Sequence, residues 1–273
     1  MPGFDLNEWL NLLLRWGHVF AGILWVGTTF YFTWLDGRFV ELEKAAQEQA
    51  PGKAPPEKHI WMVHSGGFYV VEKQKTPQVM PGKLHWFRWE AALTWLTGIL
   101  LFVLVYYHAG LMVDFEDARM SQAAAILLSL GLMIAAWVIY DLLWSSRLFS
   151  NEKIGVLVSY LLILGTTFLL FRWFPSRAAC LQLGAMFGTI MTANVWMRIL
   201  PAQRRMVRAL TEGKQPDLTE GARAKTRSKH NTFIVLPVVF LMLSPHFPGT
   251  YHWITVSILI LMGWAAAKLL RRA

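Results

Sequence analysis

The chain holds a single cysteine, Cys180, in 273 residues. An internal disulfide is therefore excluded, and so is a CxxCH site for covalent haem attachment. Charge is scarce, at 16% of residues, and acidic residues are scarcest, 17 against 26 Lys and Arg, for a net charge of +9. A basic balance can signal nucleic acid, but here Lys and Arg are confined to a few loops rather than interleaved with aromatics on one face. No nucleic-acid partner is expected. The N-terminus, MPGFDLNEWL, lacks a basic region and a small-residue cleavage site, so no removable signal peptide is read. No repeat of fixed period is visible.

What the chain has in abundance is apolar sequence: 55% hydrophobic and 14% aromatic residues, with a mean hydropathy of +0.38. That is too apolar for an ordinary soluble domain of this length. Apolar runs near the length needed to span hydrocarbon fall at 9–34, 86–107, 120–144, 154–173, 178–200, 231–244 and 252–270. The reading is an all-α, polytopic transmembrane helix bundle of about seven spans, forming one integral membrane domain over 1–273. The run at 231–244 is short and contains Pro237, which implies either a kink or a helix that begins inside the preceding basic segment.

Orientation follows from the loops. One side collects Arg38, Lys44, Lys53, Lys58, Lys73, Lys75 and Lys83 of a long 35–85 loop, Arg147 and Lys153, a basic 201–229 loop, and Lys268, Arg271 and Arg272. The other keeps Arg119, Arg172 and Arg177. The positive-inside rule then puts the N-terminus outside and the C-terminus in the cytoplasm. A multi-pass protein of a bacterial inner membrane is expected. The 35–85 loop is long for a connector, and Gly66–Tyr69 and Thr76–Pro77 point to a folded cytoplasmic element within it.

Each ionisable residue thereby acquires a depth. The cytoplasmic side collects His64, then His85, Arg88 and Glu90 opening the second span, Asp141 closing the third, Asn194 and Arg198 closing the fifth, and His230 with Asn231 opening the sixth. The outer side collects His108, His246 and His252, of which His108 and His252 read as interface residues of an aromatic belt. Asp141 and Arg147 also read as a helix-end pair, and Arg88 as a snorkelling cation. His230 and His246 are 16 residues apart, about 24 Å along a helix, so one metal ion cannot bind both.

His18 lies inside the first span between Gly17, Gly22 and Gly27. Those glycines either open space for a flat ligand or let another helix approach closely. A neutral imidazole can bind haem iron, so His18, His85, His230 and His246 are the candidate metal ligands. Depth ranks the pairings without settling them: His85 would meet His230 if the second and sixth spans are neighbours, and His18 would sooner meet His246, so one haem or two are equally compatible with the sequence.

Several segments carry a resemblance: RWGHVFAGILWVGTTFYF (15–32), HSGGFYVVEK (64–73), LHWFRWEAALTWLTG (84–98), MTANVWMRILPAQRRMV (191–207) and HNTFIVLPVVFLMLSPHFP (230–248). Together they resemble the membrane domain of the cytochrome-linked urate oxidases, or urate hydroxylases, over about residues 9–270. The resemblance implies oxidation of urate to 5-hydroxyisourate, with electrons passed through non-covalent haem b to a c-type cytochrome. In that family the cytochrome is often fused at the C-terminus. This chain ends at KLLRRA without a CxxCH, so a separate cytochrome is expected, or the fused segment has been removed.

Urate is a planar monoanion rich in donor and acceptor edges. Asn194 and Asn231 offer amides, Arg88 and Arg198 positive charge, and Trp86, Trp89 and Phe68 stacking faces. His64, His85 or Glu90 would serve as general base. Two rival readings stay open: a haem or porphyrin carrier or maturation protein using the His18 pocket, and a purine or proton-coupled transporter with His, Glu90 and Asp141 as a relay.

Overall fold

The computed structural model describes residues 4–48, 58–74, 76–77, 79–114, 119–146 and 151–271. Arg147, the expected partner of Asp141, and Lys53, Lys75 and Arg272 of the orientation count lie outside them.

The described residues are mainly helical. The order is α1 (Leu6–Glu48), a hairpin of β1 (His59–His64) and β2 (Gly67–Glu72), α2 (Trp89–Phe102), α3 (Gln122–Ser145), α4 (Glu152–Trp173), α5 (Ser176–Ala193), α6 (Leu200–Thr211), α7 (Leu218–Leu243) and α8 (Trp253–Leu270). Two π-helical turns, Val103–His108 and Asn194–Ile199, continue α2 and α5. Among the described residues six helices are long and apolar enough to cross a membrane: α1, α2 with its π turn, α3, α4, α5 continuing through α6, and α8. Such a set is compatible with a multi-pass membrane protein.

The expected sixth span, 231–244, differs. It forms the second half of α7, which starts back at Leu218 inside the basic segment, capped by Asp217 accepting from the Thr219 N–H at 2.8 Å. Its first half carries Lys225, Arg227 and Lys229, and its apolar half, 231–243, is only about 20 Å long. The stretch read as a 201–229 loop is thus mostly helix, in α6 and α7.

The 35–85 loop also begins later than expected. Helix α1 runs 43 residues, about 65 Å, twice the thickness of a hydrocarbon core. Leu35, Phe39 and Leu42 recur at helical spacing beyond the apolar run, and Ile60, Met62 and Val71 of the hairpin cover them. Lys73 pairs with Asp36, and the Tyr31 hydroxyl donates to Met62 Sδ at 3.6 Å. The hairpin closes through Ser65 and Gly66, with φ of 50° and 75°. Two successive left-handed residues are what a two-residue turn between twisted strands requires.

Helix α5 is the best enclosed, packed by α2, α3, α4 and α7. Its buried face of Ala, Gly and Met residues lets the neighbours come close. At the α7–α8 contact the ring of Pro237 rests on Gly263, where an added Cβ would stand 2.9 Å from Pro237 Cδ and 3.2 Å from its backbone nitrogen. Neither atom belongs to a flexible side chain. Gly263→Ala is therefore expected to cost about 1–3 kcal/mol by overpacking, read as a lower Tm in detergent. Gly188→Ala is the control: nothing lies within 4 Å of the added carbon, so it should be neutral or slightly stabilising.

Candidate functional site

Two cavities flank α7 near the basic end of the bundle. The first, about 740 Å³, lies between α1, the segment entering α2, the α5–α6 π turn and α7. Helix α1 presents a stripe to it: Trp25, Thr28, Thr29, Phe32, Thr33 and Asp36. These positions recur at three- and four-residue steps, so one helix face carries them all. The threonine hydroxyls donate back to α1 carbonyls, Thr28 to Leu24 at 2.9 Å, Thr29 to Trp25 at 2.8 Å and Thr33 to Thr29 at 2.7 Å. With its hydrogen so used, a hydroxyl has only lone pairs left to offer a ligand, which suits N–H groups.

The opposite wall brings His85, Trp86 and Glu90 from the α2 entrance, and Asn231, Ser228 and Lys225 from α7. Asn231 is anchored: its Nδ2 donates to the Met191 carbonyl at 3.0 Å, and its Oδ1 accepts from Asn194 Nδ2 at 2.9 Å. One hydrogen and one lone pair of its amide remain unused by those bonds. The His85 ring meets Phe87 edge-on at 4.5 Å. Cations outnumber acids along the rim, although Asp36 holds Lys73 and also faces Lys225 at 3.6 Å.

Behind this wall sits a buried polar hub. Asn194, at the start of the π turn, donates to both Asn231 Oδ1 and the Tyr140 hydroxyl, each at 2.9 Å. The Tyr140 hydroxyl is 2.8 Å from His230 Nδ1. Because it accepts from Asn194, its own hydrogen is best spent on that nitrogen, which leaves His230 with its proton on Nε2. Beside it Asp141 takes Arg198 in a two-pronged pair and Arg227 at 2.9 Å.

The second cavity, about 730 Å³, lies on the other side of α7 between α3, α4, α5 and α8. It is mostly apolar, with His230, Glu152, Lys229, Lys268 and Arg271 at one end.

The residues singled out from sequence fall into distinct places. His85, Trp86, Glu90 and Asn231 meet in the first cavity, with Asn194 in direct contact behind Asn231. Arg198 lines neither cavity, because Asp141 engages it. Arg88 stacks on Trp89 at 5.3 Å. His64 lies exposed at the hairpin turn, 2.7 Å from Ser65 Oγ. His85 lines the first cavity and His230 the second; His246 lies exposed in the Ser244–His246 turn. Trp25, the α1 threonines, Lys225, Tyr140 and Arg227 were not anticipated. The run TTFYFT (28–33), polar residues recurring inside an apolar span, was the signal for the threonines.

His18 tests whether the donors fit a haem. Its Nδ1 lies 2.9 Å from the Thr94 carbonyl and 3.2 Å from Thr97 Oγ1. A carbonyl only accepts, so Nδ1 carries the proton and Nε2 keeps its lone pair, the form that binds iron with its partner nitrogen tethered. The ring lies on Gly98, where a Cβ would stand 2.9 Å from Cε1. The donor chemistry fits one nitrogen ligand to haem iron. Of the three glycines read beside it, Gly17 and Gly22 face Thr97 and Thr94 of α2 in close helix packing, while nothing lies within 4 Å of a carbon added at Gly27. By the same reasoning His230, with Nε2 protonated, is the poorer ligand. Among the described residues no group of three or more His, Cys, Asp or Glu side chains could hold a metal ion.

Known proteins bear on this arrangement through one finding. The family model for the urate oxidase N-terminal region matches residues 5–272, nearly the whole chain. No curated protein and no solved structure gives a significant match. A two-sided helical bundle with a polar cavity at its basic end is therefore the form taken here by a chain that belongs to the urate oxidase N-terminal family.

Proposed function

We propose that this chain oxidises urate to 5-hydroxyisourate in the first cavity and delivers the electrons to a c-type cytochrome. The observation that carries the proposal is the meeting of Glu90, His85, Trp86 and Asn231 in one cavity of a urate oxidase family member. Urate is flat and anionic. Trp86 and Trp25 offer stacking faces, the cationic rim attracts the charge, Asn231 matches an amide edge, and the threonine lone pairs accept urate N–H groups.

The reaction balances as urate plus water giving 5-hydroxyisourate, two protons and two electrons. Glu90 takes the proton from the substrate nitrogen or the attacking water, with His85 beside it as the next acceptor. Asn231 and the stacking rings hold the purine plane while water adds at C5. His18 would bind haem b through Nε2; when bound, that group accepts electrons singly and passes them on. His18 stands on α1 two turns from Trp25, so cavity and iron ligand share one helix. With the basic end in the cytoplasm of a bacterial inner membrane, substrate enters from within and electrons leave outward.

The test uses purified protein with ferricytochrome c as acceptor. Urate should drive reduction of about two cytochromes per molecule without hydrogen peroxide. No urate-dependent reduction of any c-type acceptor would sink the proposal. A pyridine haemochrome assay addresses the haem independently: His18→Ala should lose it, and exposed His246→Ala should keep it. Equal haem content in both would remove His18 from the account.

A further inference from the structure

The second cavity has a shape and polarity that urate chemistry does not use. Helices α3 and α4 follow one another in the chain yet meet at few points. The gap between them is a slot lined from Leu132 to Trp144 on α3 and from Glu152 to Thr166 on α4. Twelve to fourteen residues of helix span about 18–21 Å, close to the depth of one leaflet with its headgroup region. Its body is apolar, with Ala136, Ile139, Val156, Leu162, Ile163 and Phe187 among the lining.

One end is different. His230, Lys268 and Arg271 gather there with the Glu152–Lys229 pair. Glu152 offsets Lys229, while Lys268 has no ion pair among the described residues. Two buried polar atoms in this wall, His230 Nε2 and Arg271 Nη1, have no hydrogen-bond partner among the described residues. Both are donors, the first by the tautomer that the Tyr140 hydroxyl imposes. A buried donor without an acceptor is costly, so the arrangement calls for acceptor oxygens with negative charge. Trp144 and Trp264 line the slot as well, as tryptophans do at headgroup level.

We propose that the slot between α3 and α4 binds an anionic phospholipid. One acyl chain lies between the helices and the phosphate sits among Lys268, Arg271 and His230. Basic pockets between transmembrane helices take such headgroups, and an apolar groove of leaflet depth takes the chain. A neutral isoprenoid quinone would fill the slot and offer its carbonyls to the two donors, but it would leave the cations uncompensated. The slot lies on the other side of α7 from the cavity assigned to urate, with Lys229 and Arg271 at the margin of both.

The test compares lipids on the full-length protein. The protein is purified in mild detergent, its lipids are extracted and identified by mass spectrometry, and thermal unfolding is followed with added phosphatidylglycerol, phosphatidylethanolamine or a neutral quinone. Phosphatidylglycerol should be retained selectively and should raise Tm, since a ligand of the folded state stabilises it. Lys268→Gln combined with Arg271→Gln should weaken retention roughly thirtyfold. Ala136→Phe, which fills the apolar body and leaves the cations in place, should also reduce retention. The proposal is overturned by equal shifts from phosphatidylethanolamine, by retention that neither variant alters, or by a quinone retained in place of lipid. Where a variant fails to fold, the lipid selectivity of the unaltered protein still decides.

Discussion

Replacing Glu90 by glutamine should lower kcat for urate oxidation about a hundredfold to ten-thousandfold, with KM little changed, because a positioned general base contributes on that scale. Glutamine keeps the shape and an acceptor oxygen but cannot take a proton. Glu90 lies in the first turn of α2, where its own carbonyl accepts from Thr94 Oγ1 at 2.7 Å. That bond is made by backbone, so the substitution leaves the local helix intact. Steady-state cytochrome reduction across a range of urate concentrations separates the two constants. A kcat within about threefold of the unaltered protein would show that the proton goes elsewhere, and His85 would be examined next.

Asp141→Ala should be the most destabilising single change, by about 3–5 kcal/mol, because it leaves a buried guanidinium without its counter-charge. Arg227 is 7% exposed, and its Nη2 also reaches the Asp141 carbonyl at 3.3 Å and Ser145 Oγ at 3.0 Å. Its guanidinium further rests over the Tyr140 ring at 4.9 Å. The carboxylate thus joins α3 to α7 and, through Arg198, to the π turn after α5. Arg198 is 48% exposed, so Arg198→Ala should cost about 1 kcal/mol or less. Thermal unfolding in one detergent orders the variants. If Arg198→Ala proved as damaging as Asp141→Ala, the weight would lie with the exposed arm and the burial argument would be wrong.

The same residues show what could be read without coordinates. Helices α2 to α5 and α8 announce themselves because each is a long apolar run between polar ends, and such a run has little alternative to a helix in lipid. Helix α7 is harder, since half of it is charged, and no window of hydropathy sees that both halves form one rod. The end of α1 is hidden for the opposite reason. Leu35, Phe39 and Leu42 continue a helical stripe past the apolar run, and only the hairpin folding back explains why they are apolar.

For the site, type was legible and partnership was not. Glu90, His85, Trp86 and Asn231, which meet in one cavity, stood out in the sequence because polar groups at span ends are few and need a reason. Arg198 resembled them equally well. Its engagement by Asp141 depends on α3 and the π turn lying side by side, which spacing within one helix cannot reveal. His18 and His230 likewise look alike as letters, and differ only in whether a carbonyl or a hydroxyl meets Nδ1.

The Tyr140 hydroxyl joins His230, which lines the second cavity, to Asn194, whose amide also donates to Asn231 in the first. Should His230 change which nitrogen is protonated, the phenol hydrogen would need a new acceptor, and a turned Asn194 amide would offer its oxygen. Asn231 would then lose the donor it now accepts from. A shift of one proton beside α7 would thus reach the amide on its other side through one connected set of hydrogen bonds.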